Sequence, residues 1–127
     1  MDADRGSLVL RRLSDRVIGA FFDTYNELGH GFLESVYEAA LAVRLRECGL
    51  RVEQQVPIDV RLHGHVVGQF RADMLVERRL LIEIKAAVQI ASAHEAQLLN
   101  YLKATRVHLG LLLNFGPRPE FRRRVFS

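Results

Sequence analysis

The sequence predicts an α/β domain, a mixed central sheet flanked by helices in the order α-α-β-β-β-α-β. Three observations predict it. Two stretches near the N-terminus repeat apolar residues at helical spacing. The middle of the chain alternates in the manner of strands. A third helical stretch then separates the last of these strands from a fourth that is nearly all apolar. A helix between two strands is a crossover, so those two strands are expected to be parallel. The chain has 127 residues, 49% apolar and 26% charged, enough for one core in a soluble globular domain. The expected division is a flexible segment, residues 1–13, and a single domain, residues 14–127.

Ser14 or Asp15 can cap the first helix. Val17, Ile18, Phe21, Phe22, Tyr25 and Leu28 carry its apolar stripe, and Gly29 and Gly31 in LGHGF break it. The second helix is expected over Leu33–Cys48, with Val36, Ala40, Val43, Leu41 and Leu45 among its apolar positions and Gly49 as its stop. Cys48 lies in this apolar pattern and reads as a buried structural thiol.

The first strand is expected over Arg51–Val60, where Pro57 suggests an edge position. His63-Gly64-His65 makes a turn into the second strand, Val66–Val76. The third strand, Leu80–Ala86, folds back on it through the charged turn Glu77-Arg78-Arg79. The helix that follows, Ser92–Thr105, has Ser92 as its expected cap and Leu99 and Leu102 on its core side. Val107–Asn114, VHLGLLLN, suits a central strand buried on both faces. Gly116, Pro117 and Pro119 end it, and the tail, Glu120–Ser127, can add a short edge strand.

Several function classes are excluded at this stage. A single cysteine forms no internal disulfide and builds no cysteine metal site. The acidic start has no secretory signal, and no apolar run approaches the roughly 20 residues of a membrane span. A cytoplasmic location without a membrane partner is expected. The net charge of +3 permits a nucleic-acid partner without establishing one. The chain has no P-loop, dinucleotide fingerprint or nucleophile elbow.

The candidate site lies on the central hairpin. Side chains alternate along a strand, so Leu81, Glu83 and Lys85 share one face. A hairpin centred on Arg78 sets Asp73 across from Glu83. Two carboxylates and an ammonium then meet on an apolar strand pair, where burying both acids is costly unless something compensates. A hard divalent cation such as Mg2+ is one compensation, with Asp73, Glu83 and the carbonyl of the intervening Ile84 as oxygen ligands. Lys85 can then orient a water or stabilise a charged transition state. The alternative is a solvated sheet face with a cross-strand ion pair.

On the following helix His94, Gln97 and Tyr101 share a face. Gln97 and Tyr101 can donate to a phosphate or a metal-bound water; alone, the three also fit a half-buried polar stripe. His94 fits a packed or capping histidine as well as a ligand. Glu34 becomes a third carboxylate if the second helix turns that face to the hairpin, or it complements the helix dipole. The role of Tyr37, three residues on, stays open.

These residues also resemble known families. Gly31-Phe32-Leu33-Glu34-Ser35-Val36-Tyr37 is similar to the signature of the GxxExxY proteins. The likeness continues through Gln55-Val56-Pro57, Phe70-Arg71-Ala72-Asp73, Glu83-Ile84-Lys85, His94–Leu102 and Leu113-Asn114-Phe115-Gly116, over about residues 15 to 125. That family is placed in the PD-(D/E)XK nuclease superfamily. Gln97 and Tyr101 resemble the Gln-x-x-x-Tyr motif of its RecB-type members.

The resemblance implies a restriction-endonuclease-like core and Mg2+- or Mn2+-dependent cleavage of DNA or RNA. Asp73, Glu83 and Lys85 would be its Asp, Glu and Lys, with Glu34 completing the metal site from a helix. Ala72 stands where the superfamily name has proline. Arg71, Lys103, Arg122, Arg123 and Arg124 can contact a nucleic-acid backbone. A homodimer would cover more substrate than one small domain. The second hypothesis is a non-cleaving nucleic-acid-binding or assembly module that keeps the fold.

Overall fold

The computed structural model describes residues 2–126; Met1 and Ser127 lie outside it. Its helices are α1 (Asp2–Leu28), α2 (Glu34–Glu47) and α3 (Ser92–Thr105). Its strands are β1 (Val52–Leu62), β2 (His65–Val76), β3 (Leu80–Lys85), β4 (Leu109–Phe115) and β5 (Pro119–Val125). The strands form one sheet in the order β1-β2-β3-β4-β5. β3 and β4 are parallel, and the other neighbours are antiparallel. The mixed sheet and the parallel crossover match the sequence expectation. β5 is the edge strand that the tail can add. Among the described residues no helix is long and apolar enough to cross a membrane.

Two apolar layers hold the sheet between helices. On one face Leu13, Val17 and Phe21 of α1 and Tyr37, Leu41 and Leu45 of α2 meet Met74, Val76, Ile82, Ile84, Leu111 and Leu113. On the other, Leu98, Tyr101 and Leu102 of α3 meet Ile58, Ala72, Leu81 and Leu112. Each fully buried aliphatic side chain contributes about 1.5–3 kcal/mol. α3 lies close on β4, for a Cβ on Gly110 would come within 2.9 Å of a Leu98 methyl.

Several boundaries differ from expectation. α1 is helical from Asp2, not from Ser14 or Asp15. Leu10 and Leu13 extend the stripe of Val17 and Phe21 back by two turns and pack on the core. In α2 the stripe through Leu41 and Leu45 is the buried one, while Val36 and Val43 are exposed. In α3 Leu98, not Leu99, joins Leu102 in the core. Ser92 is not the cap of α3; Ala91 is, and its backbone N–H donates to His94 Nδ1 at 3.1 Å. Cys48 is exposed at the end of α2, not buried.

The β1–β2 ribbon changes face partway along. Val52 on β1 and Met74 and Val76 on β2 belong to the α1/α2 core, whereas Ile58 and Ala72 belong to the α3 core. These are all even-numbered positions, which a regular strand would keep on one face. The switch falls at Gln55, which holds a left-handed φ of +53°. Pairing runs from Gln54↔Met74 to Val56↔Ala72, leaving Gln55 and Asp73 between them. Asp73 thus sits where the ribbon turns over.

Candidate active site

The β2–β3 ladder stops at Met74↔Ile82. One step further on, side chains replace the backbone pairing. The Asp73 N–H donates to Glu83 Oε1 at 3.1 Å, and the Ile84 N–H donates to Asp73 Oδ2 at 2.7 Å. The Arg78-centred hairpin therefore sets Asp73 and Glu83 face to face. Their side chains close the gap left where the two strands separate.

Glu83 is buried, with only 4% of its surface exposed. Burial and then the Asp73 charge push its carboxyl up to about 8, while the Asp73 N–H and then Lys85 oppose the rise. Burial and the Glu83 charge also raise the Tyr101 phenol. Gln97 Nε2 donates to the Tyr101 hydroxyl at 3.0 Å, so α3 brings this pair to the Glu83 side of the sheet. Asp73 and Lys85 are half-buried, at the open margin of the same place.

α2 approaches from the other side. The Ala86 N–H donates to Glu34 Oε2 at 3.3 Å, which places Glu34 beside the end of β3. Among the described residues no three acidic, histidine or cysteine side chains are grouped closely enough to enclose a metal ion. Asp73 and Glu83 are together; Glu34 stands apart from them. Hard carboxylate oxygens next to a backbone carbonyl still suit a divalent cation that keeps several waters. A buried acid beside a second acid is the kind of charge excess such a cation relieves.

Three further residues, Glu38, Gln54 and Gln55, reach the site. Gln55 Nε2 donates one N–H to Glu38 Oε1 at 2.7 Å and reaches Asp73 Oδ1 at 3.5 Å. Gln54 donates to the other Glu38 oxygen at 2.8 Å. A chain of side chains thus leads from α2 to Asp73. The signal in the sequence is the spacing of Glu34 and Glu38, four apart on one helix face, and the polar Gln54-Gln55 pair breaking an alternating strand.

The remaining candidates are dispersed. Tyr37 is fully buried; its hydroxyl donates to Gly29 O at 2.5 Å and accepts from Phe32 N–H at 3.2 Å, which pins the α1–α2 connection. Gly31 takes φ +119° in that connection, a conformation open to glycine. Arg71 is exposed on β2. Lys103 lies on α3 along a groove shared with Gln97 and Tyr101. Arg122, Arg123 and Arg124 lie on β5, at the far edge of the sheet from β1. There Arg124 pairs with Glu95, Arg122 with Glu95 and Glu120, and Arg123 with Asp15.

Comparison with known proteins fits this geometry. A family model described as the PD-(D/E)XK nuclease superfamily matches residues 11–124. The crystal structure of SSO0001 is similar in fold, with a TM-score of 0.57 and 22% identity over 72% of this chain. The chain spans about half the length of that protein, 48%. A structure of Archaeoglobus fulgidus Hjc, a Holliday junction resolvase from an archaeal hyperthermophile, aligns at TM-score 0.42 and 21% identity, over 70% of this chain and 72% of that one. A search of curated proteins gives no match.

Proposed function

We infer the function from one premise: the chain belongs to the PD-(D/E)XK nuclease superfamily. It is a metal-dependent nuclease that hydrolyses phosphodiester bonds in DNA or RNA. The observation that carries this reading is the Asp73–Glu83 pair, locked across the opened ladder with Lys85 two residues beyond Glu83. At the finer level the chain is a GxxExxY-type member with the Gln-x-x-x-Tyr pair of RecB-type nucleases. Glu34 beside the end of β3 and the Gln97–Tyr101 pair on α3 support that reading.

Asp73, Glu83 and the carbonyl of Ile84 would hold Mg2+ or Mn2+, with Glu34 reaching it through water. Such an ion lowers the pKa of a water and offsets charge on a phosphate. Lys85 orients the attacking water and faces the charge that grows on the phosphate oxygens. The Gln97 amide and the Tyr101 hydroxyl donate to the phosphate and fix its angle to that water. Burial keeps Glu83 from ionising easily, so the site is built to gain most from a cation.

Cleavage of labelled DNA and RNA with Mg2+ or Mn2+ tests the reading. Asp73→Ala and Lys85→Ala should each lower the rate by about a hundredfold or more. Equal rates in the wild type and both variants would sink the assignment. Binding without turnover under every metal tried would instead identify a non-cleaving module that keeps the nuclease fold.

A further inference from the structure

We propose that the groove between α3 and the outer half of the β1–β2 ribbon binds an unpaired strand of nucleic acid, with Phe70 as a platform for a base. This rests on the nuclease reading and names its substrate as single-stranded. The groove encloses about 960 Å³ and is lined at one side by Gln97 and Tyr101, the pair on the Glu83 side of the sheet.

Four observations specify the ligand. Phe70 is 47% exposed although it is a large apolar residue on a strand. Its ring leans on Tyr101 at a centroid distance of 5.6 Å and a tilt of 41°, which holds it in place without covering its outer side. Gly68, two residues before it on the same face, makes room for the ring: a Cβ there would lie 3.3 Å from it. The charges lining the groove are Arg61, Lys103 and Arg106 against Asp59 alone. Asp59 already pairs with Arg61 at 3.3 Å, so among the described residues Lys103 and Arg106 supply the excess of positive charge.

An exposed ring between cations matches a base beside its phosphates. In a duplex each base is already covered by its neighbours, so the ring can stack only on a base whose face is free. The amides of Asn100 and Gln97 face the same space and can meet base edges or phosphates without demanding one sequence. A peptide segment would not call for the surplus of cations.

The test is fluorescence anisotropy with the full chain in EDTA, so that no cleavage interferes, using labelled oligothymidylate and a duplex of equal length. The wild type should bind the single strand more tightly than the duplex. Phe70→Leu, which keeps an apolar side chain against Tyr101, should weaken single-strand binding about tenfold, as loss of one stacked base does. Lys103→Ala and Arg106→Ala should each reduce the salt dependence by about one ion. Unchanged affinity in Phe70→Leu, equal or tighter binding of duplex, or no binding of either form would overturn the proposal. Metal-dependent cleavage that persists in any of these cases, and is lost in Asp73→Ala, would leave the nuclease reading standing without it.

Discussion

Gln55 holds a left-handed backbone, φ +53°, which costs a residue with a side chain about 1–2 kcal/mol relative to glycine. Its amide is the link between Glu38 and Asp73. Strain and side-chain reach therefore reside in one residue, and two substitutions separate them. Gln55→Gly removes the amide and the strain; Gln55→Ala removes the amide and keeps the strain. The glycine variant should melt higher than the alanine variant, by about 1 kcal/mol in unfolding free energy. Both should lose about tenfold in metal affinity or cleavage, the usual effect of freeing a ligand from its support. Equal melting points, or full activity in both, would show that Gln55 does not position Asp73. The sequence marked Asp73 and Glu83 through alternation and hairpin symmetry. The polar Gln54-Gln55 pair marked a break in the alternation, but not which of the two reaches Asp73, because that depends on where the ribbon changes face.

The ends of β3 and β4 are tied together at the level of elements. Asn114 is fully buried; its Oδ1 accepts from the Ala87 N–H at 2.9 Å and its Nδ2 donates to Ala87 O at 3.0 Å. This side chain continues the parallel pairing, in which Lys85 faces Asn114, past the last strand residue. Gly116 allows the approach, since a Cβ there would fall 2.0 Å from the Ala87 carbonyl oxygen. Asn114→Asp keeps the shape but loses the donor, leaving the Ala87 carbonyl unpaired beside a buried charge. It should destabilise the protein by about 1–3 kcal/mol in denaturant melts at neutral pH. It should also lower cleavage through the displaced Lys85. An unaltered melt would mean that the β3 end does not depend on this tie.

The strands were largely legible, because β3 and β4 are apolar runs and Pro57 marked β1 as an edge. Helix caps and ends were less so. Ser92 looked like a cap by residue type, yet the cap is Ala91, whose own backbone N–H donates to His94 Nδ1. The α2 stripe was ambiguous because apolar residues lie on both of its faces. Only packing on the sheet decides between Leu41 and Val43.

For the whole molecule, the buried acid couples stability to pH and to metal. Glu83 is raised from an unfolded value of 4.5 to about 8. Below about pH 4.5 both states carry the proton, and the acid costs nothing. Between there and about pH 8 the unfolded chain releases the proton while the folded one keeps it. Stability must therefore fall as pH rises through this window and level off above it. A divalent cation favours the ionised carboxylate and should reverse the loss, most strongly at the alkaline end. Thermal melts in EDTA should thus drop from about pH 5 to about pH 8, and Mn2+ should raise the alkaline melts more than the acid ones. Glu83→Gln carries no ionisable group at this position. It should flatten the fall in EDTA, melt above the wild type at about pH 8 by roughly 2–6 °C, and lose most of the gain from Mn2+. A variant with the same pH slope as the wild type would place the titration elsewhere. An unchanged response to Mn2+ in the variant would remove Glu83 from the metal site, and with it the observation on which the nuclease reading most depends.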